Sequence, residues 1–171
     1  MEFLLEKALV CEAEAVADLI QNVWDQMEQK EWYVADNAEY TSRMLSTGKG
    51  VVYKALEPST KTMAAVFMVT FPGTGEENLG REIGLAEEEL PKVAHMESMA
   101  ILPEFRGNRL QYRMMQAAEE ELRASGYRYL MCTVHPENRY SRDNVLRQGY
   151  HVVATKEKYG GYLRDILLKE I

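Results

Sequence analysis

The sequence has 171 residues, of which 46% are hydrophobic and 27% are charged, proportions that are typical of one globular domain and exclude a disordered chain. Acidic residues number 27 against 20 lysines and arginines, and this net charge of −7 argues against nucleic acid as a partner, because binding to a phosphate backbone needs a basic surface. No apolar run approaches the roughly 20 residues of a membrane span, so we expect no membrane partner.

Two further features predict a cytoplasmic location. The N-terminus lacks the basic segment and the long apolar run of a signal peptide. Cys11 and Cys132 are the only cysteines, which suits a reducing compartment. They are too few for a disulfide framework or a zinc site, so no bound metal is expected. With no repeat or linker to divide the chain, residues 1–171 are predicted to form a single domain.

Two helices are predicted at the start of the chain. Apolar residues from Val16 to Met27 recur at helical spacing, which indicates an amphipathic helix that begins near Cys11. A shorter helix is predicted to begin at Asn37, a residue type that caps helices, and to end before Gly48. Between them lies an aromatic connector.

A hairpin and a long insertion follow. Residues 51–56 and 63–71 are predicted strands separated by a turn, and the second should be central because it is apolar on both faces. The acidic segment from Pro72 to Pro91 is an insertion of a length that is usually functional or mobile.

The rest of the chain alternates strands and helices with short links, a pattern typical of an α/β fold. The predicted elements are a strand over 93–102, a helix over 109–125, a strand over 127–134, a helix over 140–148, and strands from Tyr150 and over 162–169.

The turn between the strand over 93–102 and the helix over 109–125 has the features of an anion site. The first turn of a helix presents unpaired backbone N–H groups and the positive end of the helix dipole. Gly107 brings the backbone close or takes a positive φ, Asn108 tolerates left-handed geometry, and Arg106 and Arg109 add positive charge. A phosphate group would fit there.

This stretch resembles the acetyl-CoA signature of the GNAT superfamily of N-acetyltransferases. In that family a strand ending V-x-P-x-x-R-G leads into R-x-x-G-x-G/A and a helix, and residues 96–107 with the following turn are similar to it. A second family block, Asn-x-x-Ala/Ser followed by Gly-Phe, is matched by Asn138, Ser141 and Gly149-Tyr150. The resemblance spans essentially the whole chain and implies a mixed α/β (α+β) acyltransferase fold, with a mostly antiparallel twisted sheet of six to seven strands flanked by about four helices.

The resemblance also implies acetyl-CoA as the cofactor. The residues that it assigns to cofactor binding are Ala100, Ile101, Arg106, Gly107, Asn108, Arg109, Leu110, Gln111, Asn138 and Ser141. The sequence departs from the family pattern at three places. Arg109 stands where the family has glycine, Gln111 replaces the final small residue, and Val145 occupies the usual place of the tyrosine that protonates the departing thiolate.

Acetyl transfer to an amine needs a base, because an alkylammonium has a pKa of about 10.4. Strand alternation predicts His95 and Glu97 on one face, with Met99 and Ile101. The family often takes its carboxylate base from this strand, so Glu97 is the first candidate base and His95 the second.

Three further roles come from the resemblance. A backbone N–H near Ala100 or Ile101 would meet the oxyanion, since the family splays this strand from the next. Tyr140 is the nearest substitute for the missing acid. Trp32 and Tyr33 lie in a connector that often lines the acceptor pocket, and with Glu97 they are the predicted substrate-binding residues.

The predicted function is an acetyl-CoA-dependent N-acetyltransferase that acts by direct transfer on a primary amine of a small molecule or peptide. Two alternatives stay open. One is a catalytically idle acyl-CoA-binding or regulatory domain, and the other is an interaction domain that has lost CoA binding. The sequence does not identify the amine, and it leaves the oligomeric state open, with a homodimer as one option.

Overall fold

Residues 2–171, which the computed structural model describes, form one seven-stranded sheet with helices on both faces. The strands are β1 (Leu4–Lys7), β2 (Gly50–Leu56), β3 (Met63–Thr70), β4 (Val93–Ile101), β5 (Tyr129–Val134), β6 (His151–Lys158) and β7 (Tyr162–Glu170). Their order in the sheet is β1-β2-β3-β4-β5-β7-β6, and every neighbouring pair is antiparallel except β4 with β5. The predicted fold class is therefore confirmed.

Four helices cover the sheet, two on each face. They are α1 (Ala13–Asp25), α2 (Ala38–Thr47), α3 (Leu110–Ala124) and α4 (Arg139–Arg147). On one face, Val16 and Ile20 of α1 pack on Val66 and Met68 of β3, and α2 lies beside α1. On the other face, Met114 and its buried neighbours on α3 pack on the alternate residues of β3. Because β3 is buried on both faces, its prediction as a central strand is confirmed.

The helices follow the sequence signals closely. Asn37 caps α2 by accepting a hydrogen bond from the Tyr40 N–H at 2.8 Å, and Gly48 ends the helix in the left-handed conformation. The short edge strand β1 was not predicted, because four residues are too few for a clear alternation pattern. No helix within residues 2–171 combines the length and apolarity needed to cross a bilayer.

The acidic insertion after β3 is ordered and packs on the sheet. It forms two short 3₁₀ helices, Leu79–Ile83 and Leu90–Lys92. The buried Asn78 side chain donates hydrogen bonds to the carbonyls of Gly73 and Leu90, at 2.7 and 3.0 Å, which fixes the path of the insertion. Leu79 packs in an apolar cluster against β4, β5 and β7.

Strands β4 and β5 are paired over only three residues. Val93 to His95 pair with Tyr129 to Met131, and beyond this point the two strands diverge. The splay that the resemblance implied is thus present, and it opens the centre of the sheet.

A β-bulge at Glu97 changes the faces of β4. Ser98 pairs with Met68 and Met96 pairs with Val69, so Glu97 is an extra residue without a partner on β3. The predicted alternation is therefore wrong at this point. His95 lies on the α1 face of the sheet with Ser98, whereas Met96 lies on the α3 face with Met99 and Ile101.

Candidate active site

A cleft of about 490 Å³ passes through the sheet where β4 and β5 diverge. Its walls are mostly apolar, with Met96 and Met99 on the β4 side and Cys132 and Val134 on the β5 side. The starts of α3 and α4 border one end. The end of α1 and the connector to α2 border the other, which we call the acceptor end, lined by Val23, Met27, Trp32, Tyr33 and Glu97.

Glu97 is the carboxylate that lines this cleft. The bulge frees it from the ladder, and the Tyr40 hydroxyl donates to its carboxylate at 2.8 Å to Oε2 and 3.0 Å to Oε1. The side chain is reached by solvent through the cleft, yet the walls displace much of the water around it. This desolvation, together with the negative charge of Asp36, raises the pKa of Glu97 to about 7.

Asp36 and Tyr40 were not identified from the sequence. The Ser98 hydroxyl donates a hydrogen bond to Asp36 Oδ2, which places a second carboxylate beside Glu97. Burial raises the pKa of Asp36, and its hydrogen bond with Ser98 partly offsets that rise. Nothing in the sequence separates Asp36 from the other acidic residues, and Tyr40 fits the apolar stripe of α2 equally well.

His95 occupies a different environment from Glu97. It is buried, and its Nε2 accepts a hydrogen bond from the Leu79 N–H at 3.0 Å. Burial, with a smaller effect of Lys158, lowers the pKa of His95 to about 4. A cavity of about 20 Å³, large enough for a water molecule, touches both His95 and Glu97.

The turn before α3 leaves backbone donors unpaired. Arg109, the N-cap residue of this 15-residue helix, makes no side-chain capping bond, so the first N–H groups of α3 lie beside the cleft with no side chain on them. Gly107 takes a left-handed φ of 82° and Arg106 lines the cleft. Asn108 turns inward and donates to the Phe105 carbonyl at 2.9 Å.

The three residues that follow show how the chain accommodates its departures from the family pattern. Arg109 has a φ of 57°, the left-handed conformation that glycine usually supplies, and its guanidinium lies 4.9 Å from the Tyr112 ring centroid. The side chain is therefore directed away from the cleft lining. Leu110 is buried in the core, so it offers a ligand only its backbone, and the buried Gln111 lines the cleft.

Backbone geometry distinguishes the two predicted oxyanion donors. The Leu102 N–H donates to the Ala64 carbonyl of the neighbouring hairpin strand at 2.9 Å. Because N–H directions alternate along a strand, the Ala100 N–H also faces β3, whereas the Ile101 N–H faces the gap left by β5. The Ala100 side chain is buried under α1, while Ile101 lines the cleft.

The start of α4 closes the α3 end of the cleft. Asn138 caps the helix by accepting a hydrogen bond from the Ser141 N–H at 3.4 Å, and both residues line the cleft. Tyr140 also lines it and is 66% exposed. Val145 is buried in the wall, so the phenol available in this region is that of Tyr140.

The connector between α1 and α2 is held firmly against the sheet. Trp32 stacks on His135 with ring centroids 5.9 Å apart, and the Trp24 Nε1–H donates to the Tyr33 carbonyl at 3.1 Å. The buried Arg164 of β7 donates to the Glu31 carbonyl at 2.7 Å. Trp32 and Tyr33 are thereby fixed at the acceptor end.

A splayed pair of central strands, an uncapped helix start and a carboxylate beside the cleft between the strands are features of an acyltransferase. Comparison with known proteins agrees. The family model described as the Acetyltransferase (GNAT) family matches residues 62–150, just over half of the chain, and the chain belongs to this family. A search of curated protein sequences gives no significant match.

Solved structures share the fold at low sequence identity. A GNAT-family acetyltransferase from Streptococcus pneumoniae is 16% identical, with 99% of each chain covered and a TM-score of 0.75. A ribosomal-protein-alanine N-acetyltransferase from Brucella melitensis is 14% identical, covering 98% of this chain and 99% of its own, with a TM-score of 0.73. A phosphinothricin acetyltransferase from Sinorhizobium meliloti, solved with AcCoA, is 12% identical, covering 100% and 89%, with a TM-score of 0.74.

Proposed function

We propose that residues 1–171 act as one domain, an acetyl-CoA-dependent N-acetyltransferase that transfers acetyl directly to a primary amine of a small molecule or peptide. The observation that carries this proposal is Glu97, a carboxylate with a raised pKa in the cleft between β4 and β5. A cytoplasmic location and the option of a homodimer stay predictions from the sequence.

The residues present fit acetyl-CoA. The uncapped start of α3 with Arg106 and Gly107 would hold the pyrophosphate, because unpaired N–H groups and a cation favour an anion. The cleft, about 490 Å³, has room for the pantetheine arm beside Ile101, and Asn138 and Ser141 border that arm. The Sinorhizobium meliloti neighbour, solved with AcCoA, supports the same ligand here. When bound, this group supplies an activated acetyl carbonyl and a thiolate leaving group.

Glu97 is the base in this proposal. With a pKa of about 7 it is ionised at mildly alkaline pH, and it is a much stronger base than an ordinary carboxylate, so it removes a proton from an ammonium more readily. His95 is a poor candidate, because its Nε2 lone pair already accepts the Leu79 N–H. The Ile101 N–H, facing the gap, is the donor for an acyl oxygen.

Direct transfer is favoured over a covalent acyl-enzyme. Cys132 lines the cleft, but burial raises the pKa of its thiol to about 12, so it stays protonated and is a weak nucleophile. Tyr140 is the donor for the departing thiolate. A thiol has a pKa of only about 8.5, so a thiolate leaves without an obligatory acid, and the absence of a tyrosine at Val145 is compatible with activity.

Thermal unfolding with and without acetyl-CoA tests the cofactor. A ligand at about 100 times its Kd stabilises by about 2.7 kcal/mol, which for a domain of this size raises Tm by roughly 5–10 °C. CoA should give a similar shift and ATP none. No shift at millimolar acetyl-CoA would overturn the enzyme proposal and favour an interaction domain that has lost CoA binding.

Thiol release with a panel of primary amines, checked by mass spectrometry of the products, tests the transfer. We expect Glu97→Gln to lower kcat at least about 100-fold while the thermal shift with acetyl-CoA is retained. Cys132→Ser is the matched control in the same cleft and should keep most of the activity. A protein that binds acetyl-CoA but acetylates no amine would be the catalytically idle acyl-CoA-binding domain.

A further inference from the structure

The acceptor end of the cleft holds negative charge that no side chain balances. Glu97 lines this end, and Asp36 accepts a hydrogen bond from the adjacent Ser98. Within residues 2–171 neither carboxylate forms an ion pair. Among the described residues that line the cleft the only cation is Arg106, which belongs to the turn before α3 at the opposite end. With no protein cation beside them, two neighbouring carboxylates favour a cationic ligand at this end.

The buried Trp32 Nε1–H at the same end has no hydrogen-bond acceptor. The Tyr33 hydroxyl is buried beside both carboxylates, with the Ser98 hydroxyl as its neighbour. Both residues line the cleft. Unpaired buried polar groups are rare in native proteins, and since an indole N–H can only donate, its partner must be a hydrogen-bond acceptor.

The remaining surface of this end is apolar. Val23, Met27 and the Trp32 ring line it, which suits an uncharged hydrocarbon or aromatic body. Arg164 donates to the Glu31 carbonyl and so ties the connector to β7. The cleft of about 490 Å³ would also hold the pantetheine arm, and the space left at this end favours a compact acceptor.

We propose that the acceptor is a compact amine with an apolar body, no carboxylate near its nitrogen, and at most a neutral hydrogen-bond acceptor beside it. This inference rests on the proposed acetyltransferase function and narrows its substrate class. The ammonium neutralises Asp36 and Glu97, whereas a carboxylate on the neighbouring carbon would face both of them with no cation to pair with. Free amino acids are therefore excluded as good substrates.

Three small substrates with the same phenyl group test whether a carboxylate near the amine excludes a substrate. Phenethylamine and phenylalanine differ only in the carboxylate, and phenylalaninamide replaces that carboxylate with a neutral acceptor for the Trp32 Nε1–H. We expect kcat/KM for phenethylamine and for the amide to exceed that for phenylalanine by at least about 100-fold. Amine basicity cannot explain a preference for phenethylamine over phenylalanine, because the amine of phenethylamine is the harder to deprotonate. Comparable values for phenylalanine would overturn the inference.

A peptide with N-terminal phenylalanine tests the compactness of the site. Its terminal amine has the same neutral carbonyl neighbour as the amide, so only the length of the acceptor differs. We expect its kcat/KM to lie at least about tenfold below that of the amide. A peptide that reacts as well as or better than the amide would overturn the compact acceptor.

Asp36→Asn tests the cause of the discrimination. Removal of one of the two charges should lower the ratio of kcat/KM between phenethylamine and phenylalanine by about tenfold, mainly through a higher KM for the amine. Glu39→Gln is the matched control, because it removes the same charge from an exposed position that, unlike Asp36, does not act on Glu97. An unchanged ratio in Asp36→Asn, or an equal loss in Glu39→Gln, would refute the role of the carboxylate pair.

A wrong substrate class and a wrong proposed function would give different results. If free phenylalanine is acetylated as well as its amide, the acetyltransferase function stands and the substrate class is wrong. If acetyl-CoA binds but neither these substrates nor a broad panel of amines is acetylated, the proposed function is refuted, and the substrate class falls with it.

Discussion

The pH dependence of acetyl transfer should report Glu97 and its two neighbours. The ionised carboxylate is the base, so kcat/KM should rise with pH through about 7 and level off above it. Asp36 raises the pKa of Glu97 through like charge, whereas the Tyr40 hydroxyl lowers it by donating to the carboxylate. Asp36→Asn should therefore move the acidic limb of the profile down in pH, and Tyr40→Phe should move it up.

The size of the first shift follows from the causes of the raised pKa. The whole displacement of the Glu97 pKa runs from 4.5 to about 7, and desolvation is a larger cause than Asp36. The part due to Asp36 is then on the order of 1 pH unit. With a pKa of about 7, roughly one tenth of Glu97 is ionised at pH 6, and with a pKa of about 6 roughly one half is. Asp36→Asn should thus gain about fivefold at pH 6, relative to its own plateau.

The assay measures kcat/KM for a fixed amine between pH 5.5 and 9.5, with each variant normalised to its plateau so that losses in binding do not enter. His95→Gln is the control, because its pKa of about 4 lies outside the range and the limb should stay in place. Limbs that shift in the same direction for Asp36→Asn and Tyr40→Phe would refute the assignment. So would a limb near 7 that disappears in His95→Gln and persists in Glu97→Gln.

Three further outcomes are expected. The folded state raises the pKa of Glu97 above its unfolded value of 4.5, so ionisation of Glu97 destabilises the fold as pH rises from about 4.5 to 7. Glu97→Gln should therefore raise Tm at pH 8 but not at pH 4.5. An equal gain in Tm at both pH values would contradict the raised pKa. Arg109→Gly should have a Tm roughly 2–4 °C above that of Arg109→Ala, since the left-handed backbone conformation at this position costs alanine about 1 kcal/mol more than glycine. Identical Tm values would show that the backbone at this position is not strained. Arg164→Gln weakens the hydrogen bond to the Glu31 carbonyl and should raise KM for the amine several-fold. The Kd of acetyl-CoA, measured by calorimetry, should be unchanged. A loss of acetyl-CoA binding would indicate that the substitution disturbs the whole fold.

Periodicity and caps were sufficient for the regular elements, because those signals are local. The stripe of α1, the Asn37 cap and the doubly buried β3 are each encoded within one segment. The bulge at Glu97 is not, since it depends on how the register of β4 fits β3, and a single extra residue there reversed the predicted faces.

The acidic pair at the acceptor end was beyond sequence reasoning for a related reason. Asp36 and Glu97 are 61 positions apart, and only the connector held by Arg164 and the bulge bring their carboxylates together. The turn before α3, in contrast, consists of a few consecutive residues, and for that reason it could be predicted from one segment of sequence.

The bulge also explains how one strand serves two ends of the cleft. Before it, β4 is paired with β5 and places His95 on the α1 face; after it, the strand is free of β5 and leaves the Ile101 N–H facing the gap. The extra residue, Glu97, has no partner on β3, and its carboxylate meets the Tyr40 hydroxyl of α2 and lines the cleft. There partial burial and Asp36 give its pKa a value near neutrality. The irregularity that defeated the prediction is thus what makes the carboxylate a usable base.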